Sequence, residues 1–174
     1  MKHNNIIISI LALFILLPLG LTSCSNEKSK EQQEKWGAVT AAWEEVQSAC
    51  KTRADLLSNL VSIVKTYAPG EEEAIESAVS ACDKAAKITI TPENLTPEKL
   101  QEFQDAQYKL SEAIDRLLFL NEDYPAMNDD QAFLELELQL EGSSNDIHEA
   151  TESFNDVAAE YHQQYPDEPS LTLE

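Results

Sequence analysis

Residues 53–68, RADLLSNLVSIVKTYA, are the most regularly patterned part of a helix expected to start near Trp36. Followed at alternating steps of three and four, the pattern runs Trp36, Val39, Trp43, Val46, Cys50, Arg53, Leu57, Leu60, Val64 and Tyr67, and nine of these ten are apolar or aromatic. Helices are stabilised mainly by packing such a face, so a stripe this long needs an equally long apolar partner. The rest of the chain must supply it. Arg53 is the exception on the stripe, and its guanidinium must either run its stem outward to water or meet a carboxylate from a neighbouring helix.

Downstream of this rod, Pro69 and Gly70 end or kink the helix, and Glu71, Glu72 and Glu73 suit the positive N-terminal end of a new segment. That segment has a modest stripe, Ile75, Val79, Cys82 and Ala86, which fades near Lys87. The following ITITPENLT, with Pro92, reads as a loop. Thr96 as cap and Pro97 at the first helical position open the next helix. Its stripe is Leu100, Phe103, Gln107, Leu110, Ile114, Leu117 and Asn121, and Tyr124-Pro125 closes it. A last helix follows Asn128-Asp129-Asp130. Its stripe is Phe133, Leu136, Leu140, Ser143, Ile147, Ala150, Phe154, Val157 and Tyr161, ending before Pro166. The expectation is an all-α protein: an elongated antiparallel bundle of three long helices plus one shorter segment over residues 36–166.

Composition agrees with that class and removes others. The 174 residues carry 12 Lys and Arg against 32 Asp and Glu, a net charge of -20, and only 4 Gly. Low Gly with abundant Ala, Leu, Glu and Gln favours helix. So negative a surface repels phosphate backbones and anionic headgroups, which argues against nucleic-acid binding and against membrane docking through a basic patch. Cations and basic protein surfaces remain as partners.

The N-terminus reads as a targeting segment. Lys2 precedes an almost unbroken apolar run over residues 6–21, which ends in Leu21-Thr22-Ser23-Cys24. The run is short for a membrane span of about 20 residues, and a basic start, apolar middle and small residues before a cut describe a secretory signal. The four residues at its end resemble a bacterial lipobox, in which Cys24 is acylated and becomes the new N-terminus. The other reading is an uncleaved single-pass anchor with an incidental Cys. Either way the bulk of the chain is exported. Residues 25–35, SNEKSKEQQEK, read as a polar tether, although Ser29 followed by Gln32 is a weak capping-box match that can start a helix inside it. Residues 167–174 read as a tail.

Catalytic and metal-ligating patterns are sparse. His148 and His162 are roughly 21 Å apart along one helix, too far to share an ion. There is no Glu-x-x-His pair, no His-Glu-x-x-His, no phosphate loop and no nucleophile signature. A non-enzymatic protein without cofactor or bound metal is expected. Cys50 and Cys82 are expected as two buried free thiols, since folding back at Pro69-Gly70 leaves them about 10 Å out of register.

Opposite the apolar stripe of the first helix lie Ser48, Thr52, Asp55, Asn59, Ser62 and Thr66, a nearly uncharged polar stripe in an acidic chain. It reads either as a contact surface for a partner or as an ordinary helix face, covered by a fourth helix or solvated.

The segment RADLLSNLVSIVKTYA, with Trp43 upstream, resembles the signature of the LemA family, R-x-D-L-I-P-N-L-V-x-x-V-K-x-Y-A. FLNEDYPAMNDDQAFLELELQLEGSSNDI is similar to that family's second block, and SFNDVAAEYHQQYP to its closing block. The chain departs from the family pattern at Ser58, Thr52, Ser144 and His162, in its lipobox in place of a plain transmembrane start, and in its PDEPSLTLE ending. The resemblance implies a membrane-anchored helical bundle facing away from the cytoplasm. Together with the polar stripe it makes Arg53, Asp55, Asn59, Lys65, Asn145 and Asn155 the partner-binding candidates. The expected role is that of a lipid-anchored scaffold or interaction protein of the cell envelope, in the periplasm or on the cell exterior, held to the membrane by Cys24 and meeting an unidentified envelope protein. The alternative is an envelope lipoprotein that binds a cation or small ligand.

Overall fold

The computed structural model describes residues 29–174. The apolar leader, the lipobox with Cys24 and residues 25–28 lie outside the described residues. Four α-helices account for most of the rest: α1 (Lys30–Tyr67), α2 (Glu72–Lys87), α3 (Pro97–Leu118) and α4 (Gln131–Gln164). Two 3-10 turns, Phe119–Glu122 and Pro125–Asp129, join α3 to α4. No strand occurs among the described residues.

The helix boundaries follow local chemistry. The Ser29 side chain accepts the Gln32 N–H at 3.2 Å, so α1 begins at Lys30, inside the segment expected as tether. What holds these added turns down is tertiary: Gln32 donates to Glu168 Oε1 at 2.9 Å, and Lys35 pairs with Glu160 of α4. Thr96 caps α3 through the Lys99 N–H, with Pro97 at its first position. Asp130 caps α4 through the Ala132 N–H at 2.8 Å. The stripe expected to run on to Asn121 leaves α-geometry at Leu118. There Asn121 and Asn128 bond one another's side chain and backbone across the two turns, at 3.1 and 3.3 Å. The molecule therefore has two rods, α1 of 38 residues and α4 of 34, with two shorter helices beside them, α3 of 22 and α2 of 16.

The chain runs up α1, down α2, up α3 and down α4. Antiparallel α1 and α4 pack along their length, and α2 and α3 form a second antiparallel pair. The core has two parts. The first joins the C-terminal half of α1 (Leu57, Leu60, Val64) to α2, the end of α3, Met127 and the start of α4. The second joins the N-terminal half of α1 to the start of α3 and the end of α4 around Trp43, which stands edge-on to Phe103 and Phe154 with centroids 4.9 and 5.7 Å away. Trp43 Nε1 and Gln47 Nε2 both donate to the Ile90 carbonyl, at 3.4 and 3.2 Å, and this draws the α2–α3 loop onto the second core.

Residues 167–174, expected as a tail, pack onto this second core. Leu171 and Leu173 are buried in it. The two leucines stand two positions apart, and the N–H and carbonyl of Leu173 are both taken up by Asn155.

Candidate functional site

Arg53 meets neither of its expected fates. It is 9% exposed, so the stem does not carry the charge to water, and no carboxylate pairs with it. Instead Nη1 donates to Ser111 Oγ at 2.8 Å and Nη2 to Gln107 Oε1 at 3.0 Å, both on α3. Nε has no acceptor. Burial lowers the pKa of the guanidinium, and the thiol of Cys50 and the carboxylate of Asp115 oppose that shift. Gln107 is the polar break in the apolar stripe of α3, as Arg53 is in that of α1. The two interruptions face each other.

Arg53 lines a groove of about 380 Å³ between α3 and α4. Ser111, Ile114, Asp115 and Leu118 of α3 form one wall, and Glu137, Leu140, Glu141 and Ser144 of α4 the other. Arg53 is the one α1 residue in it, so it forms the floor. Sequence reading singled out Arg53 but none of the charged wall residues. The pairing of Arg53 with Gln107 was the available signal.

The polar stripe of α1 faces the other way and is uncovered: Ser48, Thr52, Asp55, Asn59, Ser62 and Thr66 are all exposed. Among the described residues no helix lies over it. The hydroxyls of Thr52, Ser62 and Thr66, and that of neighbouring Ser58, turn inward on their own helix. Thr52 donates to the Ser48 carbonyl, Ser58 to Asp55, Ser62 to Ser58 and Thr66 to Ser62, at 2.9–3.1 Å. Asp55 is paired with Lys51, whereas the Asn59 amide bonds to nothing among the described residues.

The remaining candidates are scattered rather than assembled. Lys65 is exposed and lines a shallow α1–α2 groove with Glu76 and Asp83. Asn145 is exposed on α4. Asn155 has a structural task, because its amide donates to the Leu173 carbonyl at 2.7 Å and its Oδ1 accepts the Leu173 N–H at 2.8 Å. His162 Nδ1 contacts the Glu168 carbonyl, and His148 stands 3.7 Å from Glu152. No group of three metal-ligating side chains occurs among the described residues.

Cys50 is buried, as expected, but Cys82 is only partly so. Both thiols are free and line one groove between α1 and α2, near Asp55. Burial pushes the Cys50 thiol up to about 11, and burial with the Asp83 and Asp55 carboxylates raises Cys82. Both are therefore thiols rather than thiolates at neutral pH, which leaves them poor nucleophiles and poor metal ligands.

No curated protein matches the chain. The model of the LemA family matches residues 42–172, from the turn of α1 that carries Trp43 through the packed C-terminal segment, and a match over this much of the chain makes the protein a member of the LemA family.

Proposed function

We propose that this LemA family protein is a lipid-anchored, non-enzymatic interaction protein of the cell envelope, held to a membrane through Cys24 and meeting a protein partner with the polar face of α1. The observation that carries the reading is the state of that face. All six of its residues between 48 and 66 are exposed, and within it only Asp55 is charged, in a chain with a net charge of -20. A helix face becomes a contact surface most readily where little has to be stripped of water. Three of its hydroxyls, those of Thr52, Ser62 and Thr66, already bond their own backbone, so covering these leaves them satisfied, and Asp55 is paired with Lys51. The Asn59 amide is left with free donors and an acceptor to set the register of a partner.

The leader sequence supports the same reading. Among the described residues no helix is long and apolar enough to cross a membrane, and the apolar run over residues 6–21 ending near Cys24 is the part of the sequence suited to attachment. There an acylated Cys24 would contribute about 0.8 kcal/mol per buried CH₂.

The test uses the full chain in intact cells. A photo-crosslinking side chain at Asn59 is expected to capture a defined envelope protein that the same probe at Glu149, on the exposed side of α4, does not. Asn59→Arg should abolish that capture with the unfolding midpoint unchanged. Cys24→Ser should move the protein out of the membrane fraction. Equal, unselective crosslinking at both positions would remove the reading.

A further inference from the structure

The groove between α3 and α4 has a charge layout that the polar face of α1 does not explain. At its floor is a buried guanidinium whose two acceptors are neutral and whose Nε has none. A desolvated cation of this kind ordinarily meets a carboxylate, and the interior supplies none. At the walls stand three carboxylates, Asp115, Glu137 and Glu141, none of them paired with Arg53. Positive below and negative above, the groove selects by charge order. A simple anion is drawn to the floor but repelled by three carboxylates at the entrance. A simple cation is held at the entrance and repelled by the floor. A molecule carrying a carboxylate at one end and an ammonium beside it satisfies both. At about 380 Å³ the groove lies at the small end of ligand sites.

We infer that this groove binds a free α-amino acid as its zwitterion, with the carboxylate on the Arg53 guanidinium and the ammonium among Asp115, Glu137 and Glu141. A carboxylate in that place replaces a neutral environment around Arg53 by a charge-assisted one. The α3 side chains Ser111 and Gln107 hold the guanidinium in position for it.

The purified full-length protein in detergent is titrated calorimetrically with the proteinogenic amino acids. Each is compared with its amide, which lacks the carboxylate, and its N-acetyl form, which lacks the ammonium. At least one amino acid is expected to saturate a single site and to shift the Arg53 Nε–Hε resonance. Both singly charged analogues should bind about tenfold or more weakly, the equivalent of one lost charge-assisted hydrogen bond. Arg53→Met should abolish binding. Ser144→Glu should do the same by placing a carboxylate of the chain itself in the groove. Glu137→Gln with Glu141→Gln, on the walls, should weaken the amino acid and its amide, both of which carry the ammonium, but leave the N-acetyl form bound no more weakly than before. This pair keeps the test valid even where Arg53→Met does not fold. The inference is overturned if no amino acid saturates at millimolar concentration, if N-acetyl forms bind as tightly as the parent, or if binding survives Arg53→Met.

Discussion

Single side chains in this protein divide into those that hold the bundle and those that the bundle merely displays. Trp43 belongs to the first group: 1% exposed, edge-on to two rings and hydrogen-bonded to the α2–α3 loop, it links three elements. Trp43→Ala is expected to lower unfolding free energy by about 3–5 kcal/mol in chemical denaturation. Asn155 belongs with it, although its place in a motif suggested a contact with a partner. Asn155→Ala strands the N–H and carbonyl of Leu173, at a loss of about 1–3 kcal/mol. Limited proteolysis followed by mass spectrometry should then show early cleavage between residues 165 and 174. The pair Tyr67–Asp130 carries a pH signature. The Tyr67 hydroxyl, followed by the Ala132 N–H, holds the Asp130 carboxyl below the usual carboxylate range, and the same carboxylate raises the phenol. A depressed carboxyl stabilises fully above its unfolded pKa, about 4, and that contribution is lost as pH falls through the lower folded value. A raised phenol stabilises below about 10 and loses its contribution as pH rises through the higher folded value. Tyr67→Phe should flatten both flanks of a plot of unfolding midpoint against pH, and unchanged flanks would assign them to other groups.

At the scale of elements, helix α4 carries a defect that nothing in the fold requires. Gly142 lies mid-helix, exposed, and a Cβ there meets nothing within 4 Å. Gly142→Ala should therefore raise stability by about 1 kcal/mol, which for a domain of this size is about 2–4 °C in thermal midpoint. The C-terminal segment is the opposite case, an element without regular structure that the core depends on. Ending the chain after residue 169 removes the buried Leu171 and Leu173, worth about 1.5–3 kcal/mol each. The truncated protein should melt well below the parent, with increased Trp43 exposure seen in fluorescence quenching.

For the whole molecule, charge is the dominant collective property. A surface at -20 repels itself, so stability should rise with ionic strength as the screening length falls from about 30 Å at about 0.01 M to about 10 Å at about 0.1 M. Circular dichroism melts across that range test it, and a falling midpoint would show that attractive surface pairs outweigh the net repulsion. The same charge makes the strip over residues 48–66, with Asp55 its one charged member, stand out on α1.

Much of this architecture was legible in the chain alone, because periodicity and capping are local. The three-four rhythm from Trp36 to Tyr67, Thr96-Pro97 at the head of α3, and Asp130 at the head of α4 each depend on residues within a few turns of one another, and each stands in the structure where the pattern puts it. What the pattern could not carry was anything that depends on how one helix is set against another. Arg53 was visible as an anomaly, but its answer in Gln107 and Ser111 comes from the relative height of α1 and α3. The groove beneath Glu137 and Glu141 exists because α3 and α4 stand apart over α1. The packing of Leu171 and Leu173 comes from a surface built by residues more than a hundred positions away as well as by α4. Sequence spacing specifies which face of a helix is apolar, whereas long-range registry is set by packing all four faces at once, and only the folded chain contains it.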